Sequence, residues 1–335
     1  MRISYEELFE TFRRILESRG LSSENAKKAA AVFAGNSLDG VYSHGINRFP
    51  RVIGYLDKED IDPAAEPVCT ASFGALERWD GRRGLGPLNA ALAMDRACEL
   101  ARQYGTGVVA LGNSNHWMRG GSYGWQAAEQ GMIGICWSNT MPNMPAWGGT
   151  DQKIGNNPLV MAVPGKDGNH VVIDCALSQF SYGKLEEARL KGAELPVAGG
   201  YDSQGQLTKD PAAIEETRRV LPIGYWKGSG ISIALDLIAT VLTNGNSVSK
   251  VGTFDSEVGL SQVMIAMDPG RFNTEELTHE IVSGILADVK SSHPADEGRE
   301  VRYPGERSLK TREENMKQGI PVLEEIWEKV RALEK

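Results

Sequence analysis

Apolar positions in the first sixty residues recur with the period of a helix. Ser4 and Glu7 have the spacing of a capping box, and an apolar stripe follows them. Two further stripes come next, and Pro50 in the third is tolerated only in the first turn of a helix. The third helix is therefore predicted to start near Asn47. The pattern indicates a helical N-terminal unit over residues 1–70.

After this unit, strand-like runs alternate with helical ones. Pro87 begins a helical stripe that ends at Gly105, and Val108–Leu111 has the character of a buried strand. Alternation of this kind predicts an α/β domain over residues 71–270. Residues 271–335 are helical again and are predicted to pack with the N-terminal unit.

Composition excludes several classes of partner. The 335 residues include 36 Lys and Arg against 44 Asp and Glu, a net charge of −8, so nucleic acid is not expected as a partner. The sequence has no basic flank before an apolar N-terminal segment, and its most apolar stretch, 231–242, contains Asp236. Neither a signal peptide nor a membrane contact is predicted. Four widely spaced cysteines favour free thiols and a cytoplasmic location.

The first candidate for chemistry is the pair His44 and Arg48. Four residues apart on a regular helix, both side chains would lie on one face. Histidine can donate a proton near neutral pH, and arginine can bind a carboxylate through two donors. Reduction of a 2-keto acid needs both functions. If the helix starts near Asn47, the pair spans its beginning, and a purely structural pair is the common alternative.

A second histidine, His116, lies in a stretch rich in Gly, Asn and Ser, residues 112–121, which is predicted to be a turn between a strand and a helix. Loops at strand ends commonly hold functional groups, although a structural turn is an equal alternative. Arg119 can serve an anionic group at the start of the next helix.

No metal is predicted, because ligand pairs such as His-x-x-x-His are absent from the sequence. A metal site formed by His44, His116 and Asp174 is the less favoured alternative.

A loose form of the dinucleotide-binding fingerprint occurs at Gly105, Gly107 and Ala110. That fingerprint requires a strand before it and a helix after it, whereas here a helix precedes and a strand follows. Gly228 and Gly230 open a helix but lack the third glycine. A nucleotide is therefore expected to bind without the usual glycine-rich loop.

Three ordered motifs resemble those of the type 2 malate/L-lactate dehydrogenase family, the non-Rossmann 2-keto-acid reductases. They are Ser43-His44-Gly45-Ile46-Asn47-Arg48, Asn113-Ser114-Asn115-His116 and Tyr225-Trp226-Lys227-Gly228-Ser229-Gly230. The resemblance covers nearly the whole chain. It implies a mixed-sheet α/β domain of the L-sulfolactate-dehydrogenase-like type with helical N- and C-terminal parts, and not a Rossmann fold. In this family resemblance, the α/β domain binds the cofactor and the substrate.

The resemblance also implies an oxidoreductase that uses NAD(H) to reduce a small-molecule keto sugar acid reversibly, and that forms a homodimer. His44 is expected to be the proton donor, with Arg48 and His116 at the substrate. The residues that the resemblance places around the cofactor are His170, Val171, Val172, Ile173, Asp174, Cys175, Ala176, Trp226, Lys227, Gly305, Glu306 and Arg307.

A hydroxylated substrate needs neutral hydrogen-bonding partners, and Ser43, Asn115 and Thr140 are expected to supply them. Segment 165–169 is longer than in related sequences, so the contacts of His170 are left open.

Two alternatives to this function remain. One is another 2-hydroxy-acid dehydrogenase, for lactate or malate, and the other is a non-catalytic ligand-binding protein on the same fold.

Overall fold

A computed structural model describes residues 1–296 and 298–334 of the chain. Within them, the α-helices are α1 (Tyr5–Ser18), α2 (Ser23–Leu38), α3 (Phe49–Asp57), α4 (Gly86–Tyr104), α5 (Gly121–Glu129), α6 (Tyr182–Leu190), α7 (Pro211–Thr217), α8 (Trp226–Thr243), α9 (Val248–Val251), α10 (Glu275–Lys290), α11 (Glu306–Gln318) and α12 (Glu324–Ala332). The strands are β1 (Arg2–Ile3), β2 (Val68–Phe73), β3 (Leu76–Asp80), β4 (Thr106–Asn115), β5 (Ile133–Ser138), β6 (Met144–Pro145), β7 (Gln152–Ile154), β8 (Leu159–Val163), β9 (Val171–Cys175), β10 (Gly200–Tyr201), β11 (Leu207–Thr208), β12 (Val258–Met267) and β13 (Ile320–Pro321).

The N-terminal helices begin where the sequence predicts. The hydroxyl of Ser4 accepts the backbone N–H of Glu7 at 3.1 Å and caps α1. The helix α3 begins directly after Arg48, and His44 closes a separate 3-10 turn, Tyr42–His44. The spacing from His44 to Arg48 therefore spans the beginning of a helix, as predicted.

Three aromatic rings form the centre of the N-terminal core. Phe12, Phe33 and Phe49 lie with ring centroids between 4.0 and 6.1 Å apart, and burial of each ring contributes about 1.5–3 kcal/mol. The C-terminal segment completes this core, because β13 pairs with β1 and Trp327 and Val330 of α12 are buried in it. In contrast, α10 buries none of its residues. The predicted division of the chain into three parts remains a prediction.

A seven-stranded mixed sheet forms the middle of the molecule, in the order β2-β3-β4-β12-β5-β8-β9. Its strand pairs are antiparallel except for the parallel pair β3 and β4. A Rossmann fold is built on a mostly parallel sheet, so the predicted mixed-sheet α/β fold is confirmed. The helices α4 and α5 cover one face of the sheet, and α8 packs on the other.

The loose fingerprint serves packing between α4 and β4. Gly105 ends α4 with a φ of 86°, a conformation that glycine adopts without strain. A Cβ atom on Gly107 would lie only 2.1 Å from the carbonyl oxygen of Ala97 on α4. These glycines therefore connect a helix to a strand at close range, in the reverse order of a dinucleotide-binding turn.

The predicted turn at residues 112–121 is wrong in its first part, because β4 continues through Asn115. Bulged pairing with β12 places Asn115 opposite Val258, and the side chain of Asn113 donates to Asp80 at 2.9 Å. The side chain of Asn113 and the backbone of Asn115 thus have partners inside the sheet. His116 consequently follows directly on a central strand, which fixes its position firmly.

The helix α8 leaves apolar side chains on the face turned away from the sheet. Leu235 and Ala239 are buried, whereas Leu237 and Val241 are 59% and 71% exposed. Among the helices of the described residues, none combines the length and the apolar character of a membrane span.

Candidate active site

Two imidazole rings meet where the turn after α2 approaches the end of β4. The rings of His44 and His116 stack with centroids 5.8 Å apart and an interplanar angle of 25°, and both are half-buried. Ser43 Oγ lies 2.9 Å from Nδ1 of His44. The backbone N–H of Met118 donates to Nδ1 of His116 at 3.0 Å, so the neutral His116 ring carries its proton on Nε2.

The surroundings favour the neutral form of both rings. Burial, followed by the charges of Arg48 and Arg119, lowers the pKa of His44 to about 4. Burial, followed by the charges of Arg48, His44 and Arg51, lowers the pKa of His116 well below its usual range. A negatively charged ligand beside Arg48 would offset part of this effect. An anion bound there would therefore favour the protonated form of His44.

Glu257 is a residue of the site that sequence analysis missed. Its side chain is 8% exposed, and its carboxylate accepts from Arg48 Nη2 at 3.1 Å and from the backbone N–H of Met141 at 3.3 Å. It lies 209 residues from Arg48 and has no motif around it, so no local signal could have revealed it. The Nε atom of Arg48 is buried without a partner, which leaves a donor for a ligand.

Three residues predicted to bind ligands have structural partners instead. Arg119 is buried and donates to the carboxylate of Asp39, so its predicted role at an anionic ligand is wrong. Asn115 is buried and its amide donates to two backbone carbonyls, and the buried hydroxyl of Thr140 donates to Met141 O at 3.0 Å. Of the three predicted neutral partners for substrate hydroxyls, Ser43 alone is exposed.

Two of the three predicted cofactor stretches meet at the start of β9. The N–H of Val172 donates to Pro304 O at 3.0 Å, and a Cβ on Gly305 would lie 3.0 Å from His170 O. Gly305 has a φ of 103°, in the region that favours glycine. Among the following residues, Glu306 pairs with Lys290, and Arg307 is exposed.

The third stretch lies at the opposite end of the same strand. The N–H of Ile223 donates to Leu177 O at 2.9 Å, and that of Gly228 donates to Ile223 O at 2.9 Å. This turn presents Trp226, which is 59% exposed, with Lys227 Nζ 5.5 Å from its ring. At about 3.3 Å per residue, the contacts at Val172 and Leu177 lie roughly 17 Å apart, which suits an extended ligand along β9.

Alternation along β9 limits which side chains can face such a ligand. Val172 packs in the core and its N–H is bound to Pro304 O, so its side chain cannot face such a ligand. Asp174 reaches solvent, and its carboxylate accepts the N–H of Gly121 at the start of α5, at 2.8 Å. Because protein surrounds it on most sides, burial raises the pKa of Asp174, against the opposing effects of the Gly121 N–H and Arg119.

The open question about His170 has a structural answer. Its Nδ1 accepts the N–H of Gly165 at 3.0 Å, and its ring packs 5.6 Å from that of Trp125. The long segment 165–169 therefore folds back on His170, whose ring is buried.

In the part of the chain that the structure describes, no three His, Cys, Asp or Glu side chains form a group that could hold a metal ion. The metal-free site and the cytoplasmic location remain predictions.

Comparison with known proteins agrees with this architecture. A 2,3-diketo-L-gulonate reductase from Citrobacter koseri is 49% identical over 334 residues, which cover 99% of this chain and 100% of that protein. The structure of sulfolactate dehydrogenase from Methanocaldococcus jannaschii is 30% identical with a TM-score of 0.90. The match covers 99% of this chain and 96% of that protein's chain. Malate dehydrogenase from Pyrococcus horikoshii is 26% identical with a TM-score of 0.89, covering 99% and 94%.

The similarity to reductases and dehydrogenases along the whole chain shows an oxidoreductase of the 2-hydroxy-acid type, with paired histidines beside an arginine on its mixed sheet. The Malate/L-lactate dehydrogenase family matches residues 3–331, and the chain belongs to that family. The family resemblance predicted from the three motifs is thereby confirmed, and the non-catalytic alternative is not favoured.

Proposed function

We propose that this oxidoreductase reduces C2 of 2,3-diketo-L-gulonate to give 3-keto-L-gulonate, with NADH as the reductant. The observation that carries the proposal is the stacked pair His44 and His116 beside Arg48, whose Nε has no partner. Identity of 49% along the full length to a reductase named for that substrate supports the choice of substrate.

Arg48 binds the carboxylate of the substrate in this proposal. Glu257 holds one end of the guanidinium through Nη2, and the free Nε donates to a carboxylate oxygen. A planar guanidinium fixed in this way orients the acid end, and with it the C2 carbonyl, towards the two imidazoles.

His44 supplies the proton that the carbonyl oxygen gains. When the substrate carboxylate offsets the charge of Arg48, the pKa of His44 rises and the ring takes up a proton. Its Nδ1–H then donates to Ser43 Oγ, and its Nε2–H faces the carbonyl oxygen. His116 donates from Nε2 to a second oxygen of the substrate, because its Nδ1 is held by Met118.

NADH, when bound, supplies the hydride that reduces C2. Three side chains on β9 and at the start of α8 fit an extended dinucleotide. The carboxylate of Asp174 can accept from ribose hydroxyls, the ammonium of Lys227 suits a phosphate, and Trp226 suits an aromatic ring. The preference for NADH over NADPH is part of the same proposal.

Lys227→Ala is expected to raise the Kd for NADH, because it removes an exposed cation beside the groove along β9 in which NADH is proposed to lie. The loss should be larger at low salt, where charges are least screened. Titration of intrinsic or NADH fluorescence at two ionic strengths measures it. Lys250→Ala is the matched control, since Lys250 is also exposed over an aromatic ring, at 5.5 Å from Phe254, on α9. An equal rise of the Kd for NADH in the two variants would contradict the proposed position of Lys227 beside the cofactor.

We further propose that the exposed face of α8 forms a homodimer interface. This face carries five apolar side chains that are between 41% and 71% exposed, namely Ile231, Ile233, Leu237, Ile238 and Val241. Contiguous apolar surface of this kind marks an association site, and a symmetric dimer covers it with the same face of a second copy. The interface then adjoins the groove, because α8 begins at Trp226 and Lys227.

Leu237→Asp is expected to convert the dimer into a monomer, because two carboxylates would be buried at the symmetric contact. Light scattering after size-exclusion chromatography measures the mass. Leu323→Asp is the control, because Leu323 is 69% exposed just before α12, away from α8. A wild-type monomer at micromolar concentration, or a dimer that survives the change at Leu237, would contradict the interface.

The proposed activity is tested by NADH oxidation in the presence of a series of 2-keto acids. The family description names malate and L-lactate, and a malate dehydrogenase shares this fold at 26% identity, so oxaloacetate and pyruvate belong in the series as the second candidate class. Turnover of the diketo sugar acid supports the proposal. Absence of turnover with every keto acid would refute it.

A further inference from the structure

One buried carboxylate connects three parts of the chain that are distant in sequence. Asp39 ends α2 and its side chain is 3% exposed. Its Oδ1 accepts from Arg312 Nε at 2.6 Å, and its Oδ2 accepts from Arg312 Nη2 at 3.0 Å and from Arg119 Nη1. Arg119 in turn donates to Ser308 Oγ at 3.2 Å.

Each of the connected segments leads to a group of the proposed site. Asp39 lies five residues before His44, and Arg119 lies three residues after His116. Arg312 belongs to α11, which begins at the predicted cofactor stretch. The separations along the chain are 80 residues from Asp39 to Arg119 and 273 to Arg312. A single side chain thus connects these three segments directly.

A neighbouring residue of α2 strengthens the connection. Asn36 is buried, its amide donates to His44 O at 3.0 Å, and its Oδ1 accepts from Ser122 Oγ at 2.8 Å on α5. The end of α2 therefore holds the backbone of His44 through Asn36 and the loop of His116 through Asp39.

We propose that Asp39 is a positioning residue for keto-acid reduction, which fixes His44 against His116 and the start of α11 by binding Arg119 and Arg312. The inference rests on the proposed function for its kinetic consequence. It goes beyond that function in assigning a role to a residue that touches neither the substrate nor the two imidazoles.

The same carboxylate also acts on the charge around His44. The charged and titratable groups near that ring are Arg48 on its own segment and His116 and Arg119 on the loop after β4, with Arg51 and Glu257 behind them. Asp39 offsets the charge of Arg119. Without it, the cluster gains positive charge, and the protonated form of His44 becomes less favourable.

Asp39→Asn is expected to lower kcat for reduction about ten- to a hundredfold, because small displacements of reacting groups have effects of that size. It should also move the high-pH decline of kcat to lower pH, since reduction needs protonated His44. The KM for the keto acid should change less, because Arg48 and Glu257 remain in place. Steady-state kinetics over a pH series measure all three quantities.

Glu77→Gln is the matched control for a lost buried carboxylate. Glu77 is 5% exposed on β3 and accepts from Arg96 and Trp79, away from both imidazoles. The Glu77→Gln variant should lose about as much stability as Asp39→Asn. Its kcat and the pH dependence of its kcat should be those of the wild type. If Asp39→Asn does not fold, Arg312→Gln tests the proposal in its place. The side chain of Arg312 is 38% exposed, so its replacement is expected to disturb folding less. Arg312→Gln should lower kcat several-fold, and an unchanged kcat in it would overturn the proposal.

A measurement that needs no turnover separates this inference from the proposed function. NMR signals of the His44 and His116 rings should shift in Asp39→Asn, or in Arg312→Gln, while those of His293 stay unchanged. In Glu77→Gln all of them should stay unchanged. Wild-type protein without any turnover refutes the proposed function alone. Unshifted rings in the folded variants, or an equal loss of kcat in the Glu77 control, refute the positioning role.

Discussion

Replacement of His44 by Asn is expected to lower kcat for keto-acid reduction about a hundred- to ten-thousandfold, the usual contribution of a general acid. The imidazole is the proposed source of the proton on the carbonyl oxygen, and an asparagine amide cannot supply one near neutral pH. Binding of NADH should be unaffected, because the proposed groove along β9 does not include His44. Stopped-flow kinetics and an NADH titration measure the two properties.

Two further observations sharpen this prediction. His293→Asn is the control, because His293 is exposed, lies between α10 and α11, and has no predicted role in the site. In the wild type, kcat for reduction should fall as pH rises through the pKa that His44 has in the complex, and His44→Asn should remove this dependence. Turnover of His44→Asn within a few-fold of the wild type would exclude His44 as the donor.

Arg48→Gln is expected to lower kcat/KM for the keto acid about ten- to a hundredfold, mainly through KM. A hydrogen bond to a charged group contributes about 1.5–3 kcal/mol, which corresponds to that range. The variant also leaves the carboxylate of Glu257 buried without its cation, so it should unfold at a lower temperature. Steady-state kinetics and a thermal melt measure the two effects.

The double variant Arg48→Gln/Glu257→Gln separates binding from stability. Removal of both charges leaves no unpaired carboxylate, so the melting temperature should recover towards that of the wild type. The KM should stay high, because the donor for the substrate carboxylate is still missing. A KM that recovers together with stability would show that Arg48 acts only as a structural ion-pair partner.

Local signals in the sequence predict the helical parts of this fold well. The cap at Ser4 and the proline in the first turn of α3 are decided by neighbouring residues, and the structure places both helices accordingly. The extent of β4 is different, because its last residues are polar and their partners on β12 lie more than 140 residues away. The end of β4 is held by pairing with residues distant in sequence, so no local pattern of residues predicts how far the strand extends.

The same distinction holds within the site. His44 and Arg48 are neighbours in sequence, and His116 belongs to a recognisable motif, so the chain alone indicates them as candidates, and the structure brings them together. Glu257 and Asp39 matter through ion pairs across 209 and 80 residues, which only the folded chain reveals. Arg119 is the clearest failure, because the sequence places a cation at a helix start but not the carboxylate that neutralises it.

The most direct measurement of the central claim is kcat/KM for 2,3-diketo-L-gulonate, pyruvate and oxaloacetate, side by side with NADH and with product identification. The diketo sugar acid should be reduced at C2 to 3-keto-L-gulonate with by far the highest kcat/KM, because the site is proposed to pair the polar groups of that substrate. Pyruvate or oxaloacetate with an equal or higher kcat/KM would contradict this and place the protein with the lactate or malate dehydrogenases of its family.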